Sequence, residues 1–136
     1  VATAKWATPS TRSSNILSTV ANSLANNNES STVTYDNSTN LDFYALLTLK
    51  LGSITPSTGG SVSLRVTYND GTDTSDKIGG DIYVIPLTSG ASAKVNIIRI
   101  TIPPYSLRIS LVNNSGVTLN ASGNELYVRP WNEQSV

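Results

Sequence analysis

Tyr105-Ser106-Leu107-Arg108-Ile109-Ser110-Leu111-Val112-Asn113-Asn114 sets the grammar of this chain. Leu107, Ile109 and Leu111 alternate with Ser106, Arg108 and Ser110. That is the two-residue period of a strand with one buried face. Farther on, Leu126 and Val128 alternate with Tyr127 and Arg129, which share their face with Trp131. The polar connection between these runs is about ten residues long, more than a tight hairpin needs. It is either a loop with its own task or a crossover between sheets.

The same period runs backward through most of the chain. Residues 32–35 read as a short strand, stopped by the turn-forming cluster Asp36-Asn37-Ser38-Thr39-Asn40. Phe43, Ala45, Leu47, Leu49 and Leu51 form the longest alternating run and the best core candidate. After a Gly- and Pro-containing loop, Val62, Leu64, Val66 and Tyr68 face the core, and residues 69–80 form an acidic loop. Ile82, Val84 and Pro86 lie on one face of the next strand, where Pro86 marks an edge or a bulge. Ile98, Ile100 and Ile102 lie on one face of the following strand, with Val95, Ile97 and Arg99 on the other. Apolar residues on both faces point to a subunit contact. About seven strands at this spacing predict an all-β fold, a jelly-roll-like antiparallel β-sandwich over residues 32–136.

Residues 1–31 differ. Trp6 and Pro9 sit in an opening arm, and Ile16, Leu17, Val20 and Leu24 then recur at helical spacing. Ser13, Ser14 or Asn15 would cap such a helix, and Asn26-Asn27-Asn28 would stop it. The segment is expected to be a short helix or a turn-rich arm, and its Val and Thr content would also permit an extended arm. It packs on its own sheet or reaches a neighbouring subunit.

Composition excludes whole classes of function. With 136 residues, one domain is the default. Net charge is +0 and only 13% of residues are charged, so nothing matches a phosphate backbone, and nucleic acid is not an expected partner. No polybasic run addresses a membrane surface, and no apolar run approaches the ~20 residues of a membrane span. The chain opens at Val1 without a leader pattern; loss of an initiator Met is the expected reason, and cleavage of a longer leader the less economical one. Histidine and cysteine are absent, which removes Ser-His-Asp and Cys-His machinery together with thiolate and imidazole metal ligands.

Asp70, Asp73, Asp76 and Asp81 gather in one region, but their spacing departs from the calcium-loop pattern. No metal, cofactor or catalytic residue is expected. A hydrolase using paired carboxylates would place them across a cleft, and these fall in turns. Ser, Thr and Asn make up 50 of the 136 residues, which suits hydroxyl-rich outer faces and Asn-rich turns, and explains the N-x-[ST] matches at Asn28, Asn37, Asn113 and Asn120. Tyr44, Tyr83, Tyr105, Tyr127 and Trp131 are candidates for a sugar-stacking platform.

Two stretches carry a resemblance. The first is Tyr35-Asp36-Asn37-Ser38-Thr39-Asn40-Leu41-Asp42-Phe43-Tyr44-Ala45. The second runs from Leu111-Val112-Asn113-Asn114-Ser115-Gly116 through Ala121-Ser122-Gly123-Asn124 to Tyr127-Val128-Arg129-Pro130-Trp131-Asn132-Glu133. In this order they resemble a family of small virion proteins of tailed bacteriophages, with little match over residues 52–93. The resemblance implies a structural role on the particle. A head decoration (cement) protein on the capsid exterior is favoured over tail placement, with the major capsid protein or other virion proteins as partners. A symmetric homo-oligomer, a trimer at a three-fold junction, would suit that role. The expected contact residues are Trp6, Pro9, Ile98, Ile100, Tyr127, Arg129 and Trp131. The alternative is a glycan-binding module on a tail or fibre.

Overall fold

A computed structural model describes residues 3–135. It contains nine strands: β1 (Ala4–Trp6), β2 (Val33–Asp36), β3 (Tyr44–Ile54), β4 (Ser61–Tyr68), β5 (Asp81–Pro86), β6 (Ser92–Thr101), β7 (Ser106–Asn114), β8 (Glu125–Trp131) and β9 (Glu133–Ser135). A 3-10 turn at Lys77–Gly79 is the sole helical element among the described residues. One sheet has the order β2-β7-β4-β5 and the other β6-β3-β8, while β1 and β9 form a short ribbon. All pairings are antiparallel.

The expected β-sandwich is present. Every connection from β2 to β8 except β4–β5 passes from one sheet to the other, a jelly-roll-like winding. The β7–β8 connection is therefore a crossover, and the two strands that opened the sequence reading never pair. The core lies between the sheets. Ala45, Leu47, Leu49, Leu51, Leu126 and Val128 face Val62, Leu64, Val66, Leu107, Ile109 and Leu111, all essentially buried.

The structure settles two points that alternation leaves open. The first is which face of β5 turns inward. Ile82 and Val84 are exposed, and Tyr83 and Ile85 turn inward. Pairing with β4 sets this, because Tyr83 lies opposite Leu64 and Ile85 opposite Val62. The second is the choice between a short helix and a turn-rich arm, which falls to the turns. Residues 16–24 form turns, since Ser18 (φ 51°) and Ser23 (φ 54°) adopt left-handed backbone that no α-helix accommodates. The apolar spacing still reports burial, with Leu17 and Ala21 inside the sandwich core.

The segment ahead of those turns runs along the outer edge of β8. Backbone N–H groups of Ala7, Ser10, Ser13 and Ile16 donate to the carbonyls of Asn132, Pro130, Val128 and Leu126 at 2.7–3.0 Å. The arm thus advances three residues for every two of β8, so its own carbonyls fall out of register. Side chains replace them: Val128 N–H donates to Ser13 Oγ and Leu126 N–H to Asn15 Oδ1. Pro130 has no N–H to satisfy. The edge of β8 is closed by an irregular strand.

Candidate functional site

The outer face of the β6-β3-β8 sheet collects the unusual side chains. Alternation sends Tyr44, Leu46, Thr48 and Lys50 of β3 outward. Register then builds cross-strand rows: Thr101–Tyr44–Trp131, Arg99–Leu46–Arg129 and Ile97–Thr48–Tyr127. Val95 and Ile97 stand more than half exposed on β6.

At one end the β1–β9 ribbon brings Trp6 over this face. Trp6 lies 6.0 Å from Tyr44 and 5.9 Å from Trp131 between ring centroids, and Tyr44 stacks on Trp131 at 5.5 Å. Phe43 meets the Tyr44 ring edge-on. Such aromatic pairs prefer offset and T-shaped geometry, which holds the cluster in place. Trp6 nevertheless remains 61% exposed, Phe43 53% and Leu41 49%. Leu41 also sits at φ 56°, a conformation that costs a non-glycine residue energy.

Two cavities open beside the cluster and share Trp6, Arg99 and Trp131. One, of about 590 Å³, is polar, with Tyr68, Asp81, Tyr83 and Thr101 on its wall. The other, of about 360 Å³, is apolar, completed by Ala7, Pro9, Leu46 and Arg129.

Charge on this face is uneven. Arg12 lies 3.8 Å above the Tyr127 ring, and Lys50 approaches the same ring. Of the nearby acids, Glu133 accepts from Tyr44 O–H at 2.9 Å and Glu125 accepts from Tyr127 O–H. These bonds to the neutral phenols push the pKa values of Tyr44 and Tyr127 up. Arg99 and Arg129 make no hydrogen bond or ion pair with any described residue.

Five of the seven expected contact residues, Trp6, Pro9, Tyr127, Arg129 and Trp131, come together here. Ile100 reaches the wall of the polar cavity, whereas Ile98 takes no part in either cavity. They face inward, Ile98 packs against the core and Ile100 is only 3% exposed. The outward apolar residues of β6 are Val95 and Ile97. Sequence reasoning missed Leu46, Leu41 and Phe43. Strand order, which sets β3 between β6 and β8, decides the first, and no local signal marks the other two as surface residues.

The asparagines of the two resemblance motifs do different work. Asn37 is fully buried; its amide donates to the Asp42 and Pro103 carbonyls while its Oδ1 accepts from Asp42 N–H. Asn113, also fully buried, donates to the Leu24 and Val117 carbonyls and accepts from Ser115 N–H and Oγ–H. Asn124 joins Gly52 N–H to the Asn120 carbonyl. A Cβ at Gly52 would collide with the Ser122 carbonyl, so that loop lies directly on β3. These residues hold loops in place, and the Asn37 loop is the one that presents Leu41.

Among the described residues no group of three or more carboxylate, imidazole or thiol side chains converges to hold a metal. Asp70, the centre of the acidic loop, accepts from the N–H groups of Thr72 and Asp73, which makes it a turn former. No protein-family model and no curated protein matches the sequence.

Proposed function

We propose that this chain is a structural protein of a tailed-phage virion, a decoration or cement protein that binds the outside of the assembled head and stabilises it without catalysis. The observation that carries the proposal is the apolar end of the sandwich. There Trp6, Leu41 and Phe43 stand about half exposed or more, around the stacked Tyr44–Trp131 pair. Exposed aromatic anchors on a rigid sheet are what a docking interface requires, and they are costly to leave in water. The phage resemblance supports the same reading from a separate direction. Asn37 and the Arg129-Pro130-Trp131-Asn132 stretch frame this end, and Asn132 reaches the Leu41 carbonyl.

Cement proteins bridge neighbouring shell subunits, so binding should need the assembled lattice. Purified chain mixed with assembled shells and with free coat subunits should co-sediment only with the shells. Particle imaging should place it on the outer head surface. Density confined to the tail, or equal binding to free subunits, would sink the assignment.

A second reading has one specific observation in its favour. The 590 Å³ cavity combines ring faces with the hydroxyls of Tyr68 and Tyr83 and the Asp81 carboxylate, a mixture that saccharides use. On that reading Tyr83→Phe, which removes the hydroxyl and keeps the ring packed against the core, lowers binding on a glycan array while the chain stays folded. A flat array for the wild-type chain ends it.

A further inference from the structure

We propose that the smaller cavity is a receptor for an acidic–apolar peptide segment of a partner protein. A carboxylate is held between Arg99 and Arg129, and the adjoining bulky apolar side chain is seated against Leu46, Pro9 and Trp131. This rests on the docking reading above and names what the docking face grips.

Three observations carry it. Arg99 and Arg129 lie opposite Leu46 on its two sides, so their backbones stand roughly 10 Å apart, two strand spacings. Both side chains nevertheless line one cavity, whose remaining wall is apolar. Neither guanidinium has an acceptor among the described residues. An arginine fork matches a carboxylate in two-point geometry, and a low-dielectric wall strengthens that pairing.

The lining also argues against a sugar at this position. Hydroxyl groups need acceptors as well as donors, and the cavity wall has no carboxylate, amide or hydroxyl side chain. Arg12 and Lys50 extend the positive charge along the same face, where with Arg99 and Arg129 they outnumber the carboxylates of Glu125 and Glu133. A partner segment rich in Asp or Glu is therefore steered to this face, with a strong dependence on ionic strength.

Both tryptophans of the chain line the cavity, so intrinsic fluorescence reports its occupancy directly. The probes are acetylated hexapeptides alternating Glu with Leu or Phe, and the same peptides with Gln in place of Glu. The Glu peptides should bind at least tenfold more tightly than the Gln peptides, and 0.5 M salt should erase most of the difference. R99Q/R129Q should abolish the preference with an unchanged melting temperature, because neither arginine makes a hydrogen bond or ion pair with a described residue. Shells should then lose the R99Q/R129Q chain at salt concentrations that retain wild type. Equal binding of Glu and Gln peptides, or no binding of either, overturns the inference even if shells still bind. Shells that ignore the chain while the peptides discriminate would instead overturn the decoration reading alone. Quenching by uronate oligosaccharides in place of the peptides would make this a saccharide site and also overturn it.

Discussion

A buried asparagine is expensive unless every polar atom finds a partner, and Asn113 meets that condition with four hydrogen bonds from a position with no solvent exposure. Its bonds tie the end of β7 to the Leu24 carbonyl, 89 residues away in sequence. Asn113→Ala should therefore cost about 2–4 kcal/mol, because it orphans groups that water cannot reach. The neighbouring Asn114 is exposed, so Asn114→Ala should fall within about 0.5 kcal/mol of wild type. Urea denaturation of the pair checks this, and equal losses would show that the motif acts through composition. Leu41 makes the converse case. It is half exposed and held at positive φ, so the fold gains little from its side chain. Leu41→Gly should leave the melting temperature unchanged or raised, since relief of the left-handed backbone offsets the added chain entropy of about 1 kcal/mol. It should also reduce retention on shells. Lower stability with full retention would place Leu41 among the structural residues.

At the scale of elements, the arm is an edge cover for β8 and a plug for the core. Removing residues 1–14 deletes the N–H donors at Ala7, Ser10 and Ser13 and the Ser13 hydroxyl but keeps Leu17 and Ala21. The truncated chain should fold and then self-associate through the uncovered edge, visible as concentration-dependent elution in gel filtration. A truncated chain that stays monomeric would show that β8 needs no cover. Leu17→Ala should instead cost about 2–5 kcal/mol, as for any fully buried leucine. The open edge of the same sheet, β6, is guarded differently. Lys94 points inward from it, donating to the Gly90 carbonyl and the Ser92 hydroxyl, an inward charge that discourages strand addition there. The arm also marks where sequence reading stops. Alternation located every long strand and most of the core, because burial on one face writes a period of two. It left the inward face of β5 open, because Ile82, Tyr83, Val84 and Ile85 are apolar on both faces and only the β4 partner fixes the phase. It left residues 16–24 as a short helix or a turn-rich arm, because the spacing of Ile16, Leu17, Val20 and Leu24 reports which side chains are buried and not how the backbone turns between them. The candidate site was half legible for a related reason. Tyr127, Arg129 and Trp131 share a strand face that sequence displays, whereas Arg99 and Leu46 join them only through strand order.

For the whole molecule, the absence of histidine and cysteine leaves no side chain with an ordinary pKa between those of the carboxylates and the phenols. The change of stability with pH should therefore fall at the acid and alkaline ends. Hydrogen bonds from the Ser38 hydroxyl and N–H hold the Asp36 carboxyl below its usual value, and the N–H groups of Asp73 and Thr72 do the same for Asp70. A lowered folded pKa stabilises above the unfolded value of 3.8 and loses that contribution as pH falls through the folded one. The phenols run the opposite way. Burial, aided by neighbouring carboxylates, raises Tyr35 and Tyr68, and the Glu133 and Glu125 bonds raise Tyr44 and Tyr127. Their contribution is complete below the unfolded value of 10.0; above it the unfolded chain sheds protons that the folded chain retains, and stability declines. Urea midpoints should therefore be flat from pH 5 to 9, fall below pH 4 and fall again above pH 10. Tyr68→Phe should remove part of the alkaline loss, because Tyr68, bonded to Asp81, is among the phenols displaced furthest upward. A slope between pH 5 and 9 would point to an ionisable contact outside these groups, and an alkaline limb unchanged in Tyr68→Phe would remove that tyrosine from the account.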